Sequence, residues 1–197
     1  TYLNQFMPDA IRVPKIKNAS EVKNVLALLK DDIELHLSIE TADAWHNLSS
    51  LSVNKKVTTF YLGILDLFAD MKLSQSLVNL DNPTMHYMLS HFLVSSKAMN
   101  VKPVSFVYQE FKNLETFSKW INLEKSMGYD AKGCISPSQV TLVNEVFVDK
   151  EAELLRAKVV IKLFEMYRDE GITGFVDDEY GFIDEPIYKG ALALLQT

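Results

Sequence analysis

Asp31-Asp32-Ile33-Glu34-Leu35-His36-Leu37-Ser38-Ile39-Glu40 is the stretch that decides the fold. After the two aspartates, branched aliphatic side chains alternate with polar ones, as they do along a β-strand with one apolar and one polar face. The outer face of a strand in a closed barrel packs against helices and is apolar, so the polar set here points inward. The pattern therefore predicts that Glu40 lies at the C-terminal end of a barrel strand, facing the interior.

The same succession of strand and helix recurs along the first 149 residues. The predicted strands cover residues 11–15, 33–39, 57–65, 104–111 and 131–135, and the predicted helices cover residues 20–29, 42–51, 83–98 and 114–127. Ser20 is the predicted cap of the first helix. Connections of this length indicate parallel β/α units with right-handed crossovers, and no Gly-rich phosphate loop follows a strand. We therefore expect an α/β protein of the TIM (β/α)8 barrel type.

The pattern changes after this region. From residue 150 the sequence predicts a long amphipathic helix that ends near Gly171, a hairpin at residues 174–183 and a last helix at residues 186–195. We expect two domains: residues 1–149, a portion of a β/α barrel, and residues 150–197, a helical and hairpin extension that acts like a lid.

Composition excludes several classes of partner. With 48% hydrophobic residues, a net charge of -6 and a pI near 5.2, the chain resembles an ordinary globular protein without a surface for nucleic acid or anionic membrane. Its single cysteine, Cys134, excludes an internal disulfide and favours a reducing compartment. No signal peptide or membrane span is recognisable, so the sequence predicts a cytoplasmic protein.

One further stretch carries a family resemblance. Residues 128–140 read Gly-Tyr-Asp-Ala-Lys-Gly-Cys-Ile-Ser-Pro-Ser-Gln-Val, followed by Val143-Asn144-Glu145-Val146-Phe147. This stretch resembles the last barrel strand and following turn of the citrate lyase β subunit and malyl-CoA lyase family, which belongs to the phosphoenolpyruvate-binding TIM-barrel superfamily. Upstream, Ile39-Glu40-Thr41 and Gly63-Ile64-Leu65-Asp66-Leu67 fall where that family places two metal-binding carboxylates at strand ends.

The resemblance implies that the chain begins at the fourth strand of the family. About five strands are predicted where a barrel needs eight, and an open sheet exposes unpaired edges. We therefore expect three more strands to come from sequence outside this chain or from a partner, and a stable monomer of residues 1–197 alone is not expected.

The resemblance also implies a set of site residues. Glu40 and Asp66 are the predicted ligands of Mg²⁺, a hard ion that takes few carboxylates and several oxygens from water and substrate. The alternative for each is a helix cap or a salt bridge. Asp184, in Gly181-Phe182-Ile183-Asp184-Glu185-Pro186, is the predicted general acid/base contributed by a neighbouring subunit. Its alternative is a solvated acid at a helix N-terminus.

The resemblance also bears on the residues that bind the substrate carboxylate. The arginine that grips the substrate carboxylate in the family belongs to the absent third strand. Arg12 and Lys15 are the predicted substitutes, with surface or packing roles as the alternative. Ser136 stands where relatives usually have histidine, and Leu65 stands where many have Glu or Gly, so the substrate can differ.

The function implied by the resemblance is Mg²⁺-dependent carbon–carbon cleavage. The expected substrate is a β-hydroxyacyl-CoA or a related oxo-acid aldol, and the expected assembly is a homotrimer or homohexamer. One alternative is an acyl-CoA thioesterase of the same family. Another is an inactive homologue that serves as a subunit or scaffold, which Ser136 and the missing strands favour.

Overall fold

The computed structural model describes residues 2–147 and 150–195. The chain divides into two compact units, one through Val146 and one from Phe147. The strands and helices of the first unit are β1 Ala10–Val13, α1 Ala19–Leu26, β2 Glu34–Ile39, α2 Ala42–His46, β3 Val57–Leu62, α3 Ile64–Asp70, α4 Pro83–Ala98, β4 Lys102–Val104, α5 Leu114–Met127 and α6 Pro137–Phe147. Short 3-10 helices cover Tyr2–Phe6, Leu48–Ser50 and Gln75–Leu77.

The first unit is built on a parallel sheet. Its strands follow one another in the order β1-β2-β3-β4, each paired in parallel with the next. Beyond β4 the pairing continues through one parallel bridge between Ser105 and Lys132. The predicted α/β class with β/α units is therefore confirmed, and every strand presents its C-terminal end at the same edge of the sheet.

The alternation that opened the sequence reappears in the packing of β2. Leu35, Leu37 and Ile39 are fully buried in the apolar core shared with the helices. Burial of these side chains helps to hold the sheet against its helices. The polar side chains of β2 consequently occupy the opposite face, as predicted.

Several sequence predictions differ from the structure. The strand expected at residues 57–65 ends at Leu62, because the Leu67 N–H donates to the Gly63 carbonyl at 3.0 Å and closes the first turn of α3, a helix that was not predicted. The strand expected at residues 104–111 is β4, which is short and begins earlier. The cap of α1 is Asn18, not Ser20, since its side chain accepts from the N–H groups of Ser20 and Glu21.

The strand expected at residues 131–135 contributes only the bridge. Ser105 and Gly133 continue the parallel pattern, with the Ser105 N–H donating to the Ala131 carbonyl and the Gly133 N–H to the Ser105 carbonyl, each at 3.1 Å. The next ladder position is lost because the Ile135 N–H binds a side chain, that of Gln139, at 2.9 Å.

The second unit has its own small core. It consists of α7 Lys150–Asp169, β5 Gly174–Asp177, β6 Gly181–Asp184 and α8 Glu185–Leu195. The two strands form an antiparallel hairpin, as predicted, and Phe164 stacks on Tyr188 with 4.5 Å between ring centroids. The roles of barrel portion and lid, with the division at 149/150, stay predictions.

A helix that crosses a membrane must be both long and apolar. None of the helices in residues 2–147 and 150–195 combines the length and apolarity that a membrane crossing takes.

Candidate metal and substrate site

A cavity of about 180 Å³ opens where β2 and β3 end. Arg12, Glu40 and Asp66 all line it, so the structure brings together three of the five predicted site residues. Parallel α/β sheets bind ligands at this edge, outside the carboxyl ends of the strands.

Glu40 follows β2 directly and is almost entirely buried, with 9% of its surface exposed. One carboxylate oxygen, Oε1, accepts the main-chain N–H of Lys15 at 2.9 Å. The cap of α2 is the next residue, Thr41, whose hydroxyl accepts from the Ala44 N–H. Among the described residues no cation forms an ion pair with Glu40, so neither alternative role, helix cap or salt bridge, accounts for this buried carboxylate.

Gly63 allows Glu40 to take this position. A Cβ atom at residue 63 would lie 2.7 Å from the Cβ of Glu40 and 3.0 Å from its Oε2. The Gly63 N–H also donates to the Ile39 carbonyl at 2.9 Å, which ties the end of β3 to the end of β2. Only glycine lets the two backbones approach so closely around the carboxylate.

Asp66 reaches the cavity from a different element than predicted. The sequence prediction placed it at a strand end, but it lies in the first turn of α3 and its side chain is exposed. An acid in a first helical turn is stabilised by the helix dipole. Asp66 can therefore stabilise α3 and line the cavity at the same time.

Arg12 is held by two neighbouring strands. Its Nε donates to the Ser38 hydroxyl on β2 at 2.7 Å, and its guanidinium carbon lies 4.0 Å from the centroid of the Tyr61 ring on β3. These contacts fix the plane of the guanidinium. Among the described residues the two terminal nitrogens have no acceptor, so they remain able to bind an anionic group.

Lys15 contributes to the site through its backbone. It has a left-handed conformation, with φ of 56°, and its N–H is the group that binds Glu40. The side chain is exposed and does not line the cavity. Its predicted role in substrate binding stays a prediction.

Asp184 belongs to the second unit and caps a helix there. Its Oδ1 accepts the Ile187 N–H at 3.1 Å, at the start of α8. This is the structural alternative given for it above. The role as proton donor and acceptor for a neighbouring subunit stays a prediction.

Gln139 is a structural residue that the motif contained but the sequence reasoning did not single out. It is fully buried, and its Nε2 donates to the Tyr108 carbonyl at 3.0 Å while its Oε1 accepts the Ile135 N–H. The Gln139 side chain therefore braces the turn after Gly133 against the segment that follows β4. The signal in the sequence was a polar glutamine at the third residue of α6, within the quoted motif.

A buried ion pair was also missed. Lys132 Nζ lies 2.6 Å from Glu124 Oε1, with both side chains fully buried, and donates to the Phe106 carbonyl at 3.0 Å. Burial raises the pKa of the Glu124 carboxyl and lowers the pKa of the Lys132 amine, while each charge favours the ionised form of the other. The signal was a lysine inside an apolar strand, with a glutamate on the helix before it.

The donor set of the cavity suits one kind of metal. The described residues hold no group of three or more His, Cys, Asp or Glu side chains that could bind a metal ion. Zinc and other soft or borderline ions take such sets. Two carboxylates with room for water and ligand oxygens suit Mg²⁺, so Glu40 and Asp66 fit that ion.

The fold and the site define a β/α protein with a pair of carboxylates at the edge of the sheet where its parallel strands end. Residues 3–137 match the model of the HpcH/HpaI aldolase/citrate lyase family, and the chain belongs to this family. The family resemblance stated from the sequence is confirmed.

Three similar proteins illustrate the range of the family. A (3S)-malyl-CoA thioesterase from Cereibacter sphaeroides is 30% identical over 157 residues, which cover 80% of this chain and 54% of the relative. A citrate lyase structure from Burkholderia xenovorans has a TM-score of 0.80 at 14% identity and covers 96% of this chain and 63% of its own. The protein CitE from Mycobacterium tuberculosis, in complex with magnesium, acetoacetate and coenzyme A, has a TM-score of 0.67 at 20% identity and covers 95% of this chain and 67% of its own.

The chain spans about half the length of the thioesterase that it matches. The two solved structures, at 14% and 20% identity, show that the fold is that of citrate lyase β-type proteins.

Proposed function

We propose that this chain carries the metal-binding half of a Mg²⁺-dependent carbon–carbon lyase that acts on a β-hydroxyacyl-CoA or a related oxo-acid aldol. The observation that supports this most strongly is the cavity in which Glu40, Asp66 and Arg12 meet. Membership of the HpcH/HpaI aldolase/citrate lyase family favours the same reaction class. The magnesium, acetoacetate and coenzyme A of the CitE complex agree with this choice of ion and ligand.

The residues of the cavity have separate tasks in this proposal. Glu40 and Asp66 hold Mg²⁺, which supplies positive charge where the oxygen of the substrate becomes negative. Glu40 needs no rearrangement to do this, because the Lys15 N–H and the close approach of Gly63 already fix its carboxylate. Arg12 binds the carboxylate of the oxo acid through its terminal nitrogens.

Cleavage of such a substrate moves one proton and one electron pair. The bond breaks between the hydroxyl-bearing carbon and the carbon next to the thioester. The hydroxyl loses its proton as its oxygen becomes the oxo group, and the carbon next to the thioester gains a proton. We assign that transfer to Asp184 of a neighbouring subunit in a homotrimer or homohexamer.

A thioesterase is the second candidate. The relative that is 30% identical over 157 residues is a (3S)-malyl-CoA thioesterase. The same carboxylate pair and arginine would then bind the substrate, while water attacks the thioester carbonyl and releases coenzyme A.

Product analysis and metal binding test the proposal together. Malyl-CoA and citramalyl-CoA are supplied with Mg²⁺, and the oxo acid and the free thiol are measured. We expect an oxo acid without free thiol from a lyase, whereas free thiol indicates the thioesterase. We expect Glu40→Ala to abolish Mg²⁺ binding in a calorimetric titration. The matched control, exposed Glu145→Ala on α6, should leave Mg²⁺ binding as in the wild type. Unchanged Mg²⁺ binding in Glu40→Ala rules out the site.

A further inference from the structure

Leu65 stands at the boundary between two cavities. It lines the cavity of Glu40 and Asp66 and also a second cavity of about 220 Å³. Val107 and Gln109, from the segment after β4, are the other residues that line both. The cavities are therefore neighbours, and these three residues form the wall that they share.

The first cavity is small. Its volume of about 180 Å³ lies below the range of about 300–1,000 Å³ typical of pockets for drug-sized ligands, so it suits a small molecule such as a short 2-oxo acid. A longer chain that extends toward the second cavity meets the shared wall.

The apolar part of the wall has little freedom to move aside. Leu65 is half-buried and packs against the main core from the first turn of α3. On the other side, a Cβ atom at Gly133 would lie only 2.7 Å from the Cγ2 of Val107, so the backbone of residue 133 supports the Val107 side chain closely. A close-packed wall of this kind excludes a larger ligand instead of adapting to it.

We propose that Leu65, together with Val107, determines substrate size by limiting the 2-oxo acid beside Glu40 and Asp66 to a short side chain. The inference rests on the proposed function, since it assumes that the first cavity binds a 2-oxo acid with Mg²⁺. It goes beyond that function by assigning the chain-length selectivity to one side chain of α3. Removing the Leu65 side chain beyond Cβ joins the two cavities and opens space for a longer chain.

The test is a calorimetric comparison of pyruvate with 2-oxopentanoate, each titrated into the Mg²⁺-loaded chain after co-expression with the N-terminal half of a family member, which supplies the strands expected to complete the sheet. In the wild type we expect pyruvate to bind at least about tenfold more tightly, because one methylene against a hydrophobic wall changes affinity by about tenfold or more. In Leu65→Ala we expect the ratio to fall below about threefold. Val107→Ala provides a second opening of the same wall and should change the ratio in the same direction.

Exposed residues give matched controls. Leu28→Ala and Val94→Ala, whose side chains are 58% and 66% exposed, should leave the ratio at its wild-type value. If both oxo acids bind with Mg²⁺ and neither wall variant changes the ratio, the size assignment is wrong and the proposed function stands. If neither oxo acid binds the Mg²⁺-loaded wild type, both are wrong.

Discussion

Gly63 is the residue on which the position of Glu40 depends. Gly63→Ala would place a Cβ atom 2.7 Å from the Cβ of Glu40 and force the carboxylate to shift. Since a small displacement of a fixed functional group is costly, we expect Mg²⁺ affinity to fall by about tenfold or more. Calorimetric titration with Mg²⁺ measures this.

Gly190→Ala is the control for that substitution. Gly190 lies inside α8, and a Cβ atom there meets nothing within 4 Å. Alanine should therefore stabilise the chain by about 0.5–1 kcal/mol through its helix propensity and leave Mg²⁺ affinity unchanged. Equal Mg²⁺ affinities in the two alanine variants would contradict the role given to Gly63.

The buried pair of Glu124 and Lys132 gives a second prediction at this scale. Lys132→Met leaves the Glu124 carboxylate buried without its cation, which should lower the free energy of unfolding by about 3–5 kcal/mol near neutral pH. Urea denaturation measures the loss. Lys119→Met, in an exposed pair with Glu115, should change stability by less than about 0.5 kcal/mol.

The pH dependence of this loss follows from the direction of the Glu124 shift. Burial holds the pKa of Glu124 above 4.5, and removing Lys132 raises it further, because the Lys132 charge opposes the effect of burial. A raised folded-state pKa gives stability that is present below the unfolded pKa and lost as pH rises through the folded one. The variant should therefore lose stability as pH rises from about 4.5. A loss that is the same at pH 4 and pH 7 would contradict this account.

The sequence predicts the position of a single residue only where its pattern allows one structural interpretation. The alternation of β2 placed Glu40 on the inner face, since one face of a half-buried strand must be apolar. The sequence could not show that Lys132 is buried, because a lysine in a strand normally reaches solvent. Only the tertiary structure brings Glu124 next to it as a partner.

At the scale of the elements, Gln139 connects the start of α6 to the segment that follows β4. Gln139→Leu fills the same space but leaves the Ile135 N–H and the Tyr108 carbonyl without their partner. A buried backbone group without a partner costs about 1–3 kcal/mol, and the bond to the Tyr108 carbonyl is buried, so we expect a loss of about 1–3 kcal/mol in urea denaturation. Exposed Gln5→Leu is the matched control, with a change below about 0.5 kcal/mol. A loss no larger than that of the control would show that Gln139 does not brace this turn.

Element boundaries were the weaker part of the sequence prediction. The run from Val57 to Leu65 contains one candidate stop, Gly63, and since a strand can also contain a glycine, the end of β3 at Leu62 was not visible. What ends it is the Gly63 carbonyl, which accepts the Leu67 N–H and begins α3. Asp66 therefore lies in a helical turn and not at the predicted strand end, but it still lines the cavity.

On the scale of the whole molecule, the open side of the sheet is the main feature. Among the described residues, β1 pairs only with β2, so the other edge of Ala10–Val13 has no strand beside it. The inner face next to it carries charged and polar side chains such as Arg12 and His36. Closure into a full barrel stays a prediction, as does its completion by strands from outside the chain.

This open sheet predicts the behaviour of residues 1–197 alone. Unpaired parallel edges favour association, so we expect oligomers in size-exclusion chromatography and a thermal transition without strong cooperativity. Co-expression with the N-terminal half of a family member should shift both toward a compact, cooperatively melting species. A compact monomer that melts cooperatively without any partner would contradict the expected barrel completion.

The central claim is that Glu40 and Asp66 bind one Mg²⁺ together with an oxo acid. Crystals grown with Mg²⁺ and pyruvate test it most directly. We expect one metal with an oxygen of each carboxylate at about 2.0–2.1 Å, completed by oxygens of pyruvate and water, and the carboxylate of pyruvate against Arg12. A metal bound elsewhere, or pyruvate in the cavity with Glu40 still bound only to the Lys15 N–H, would contradict it.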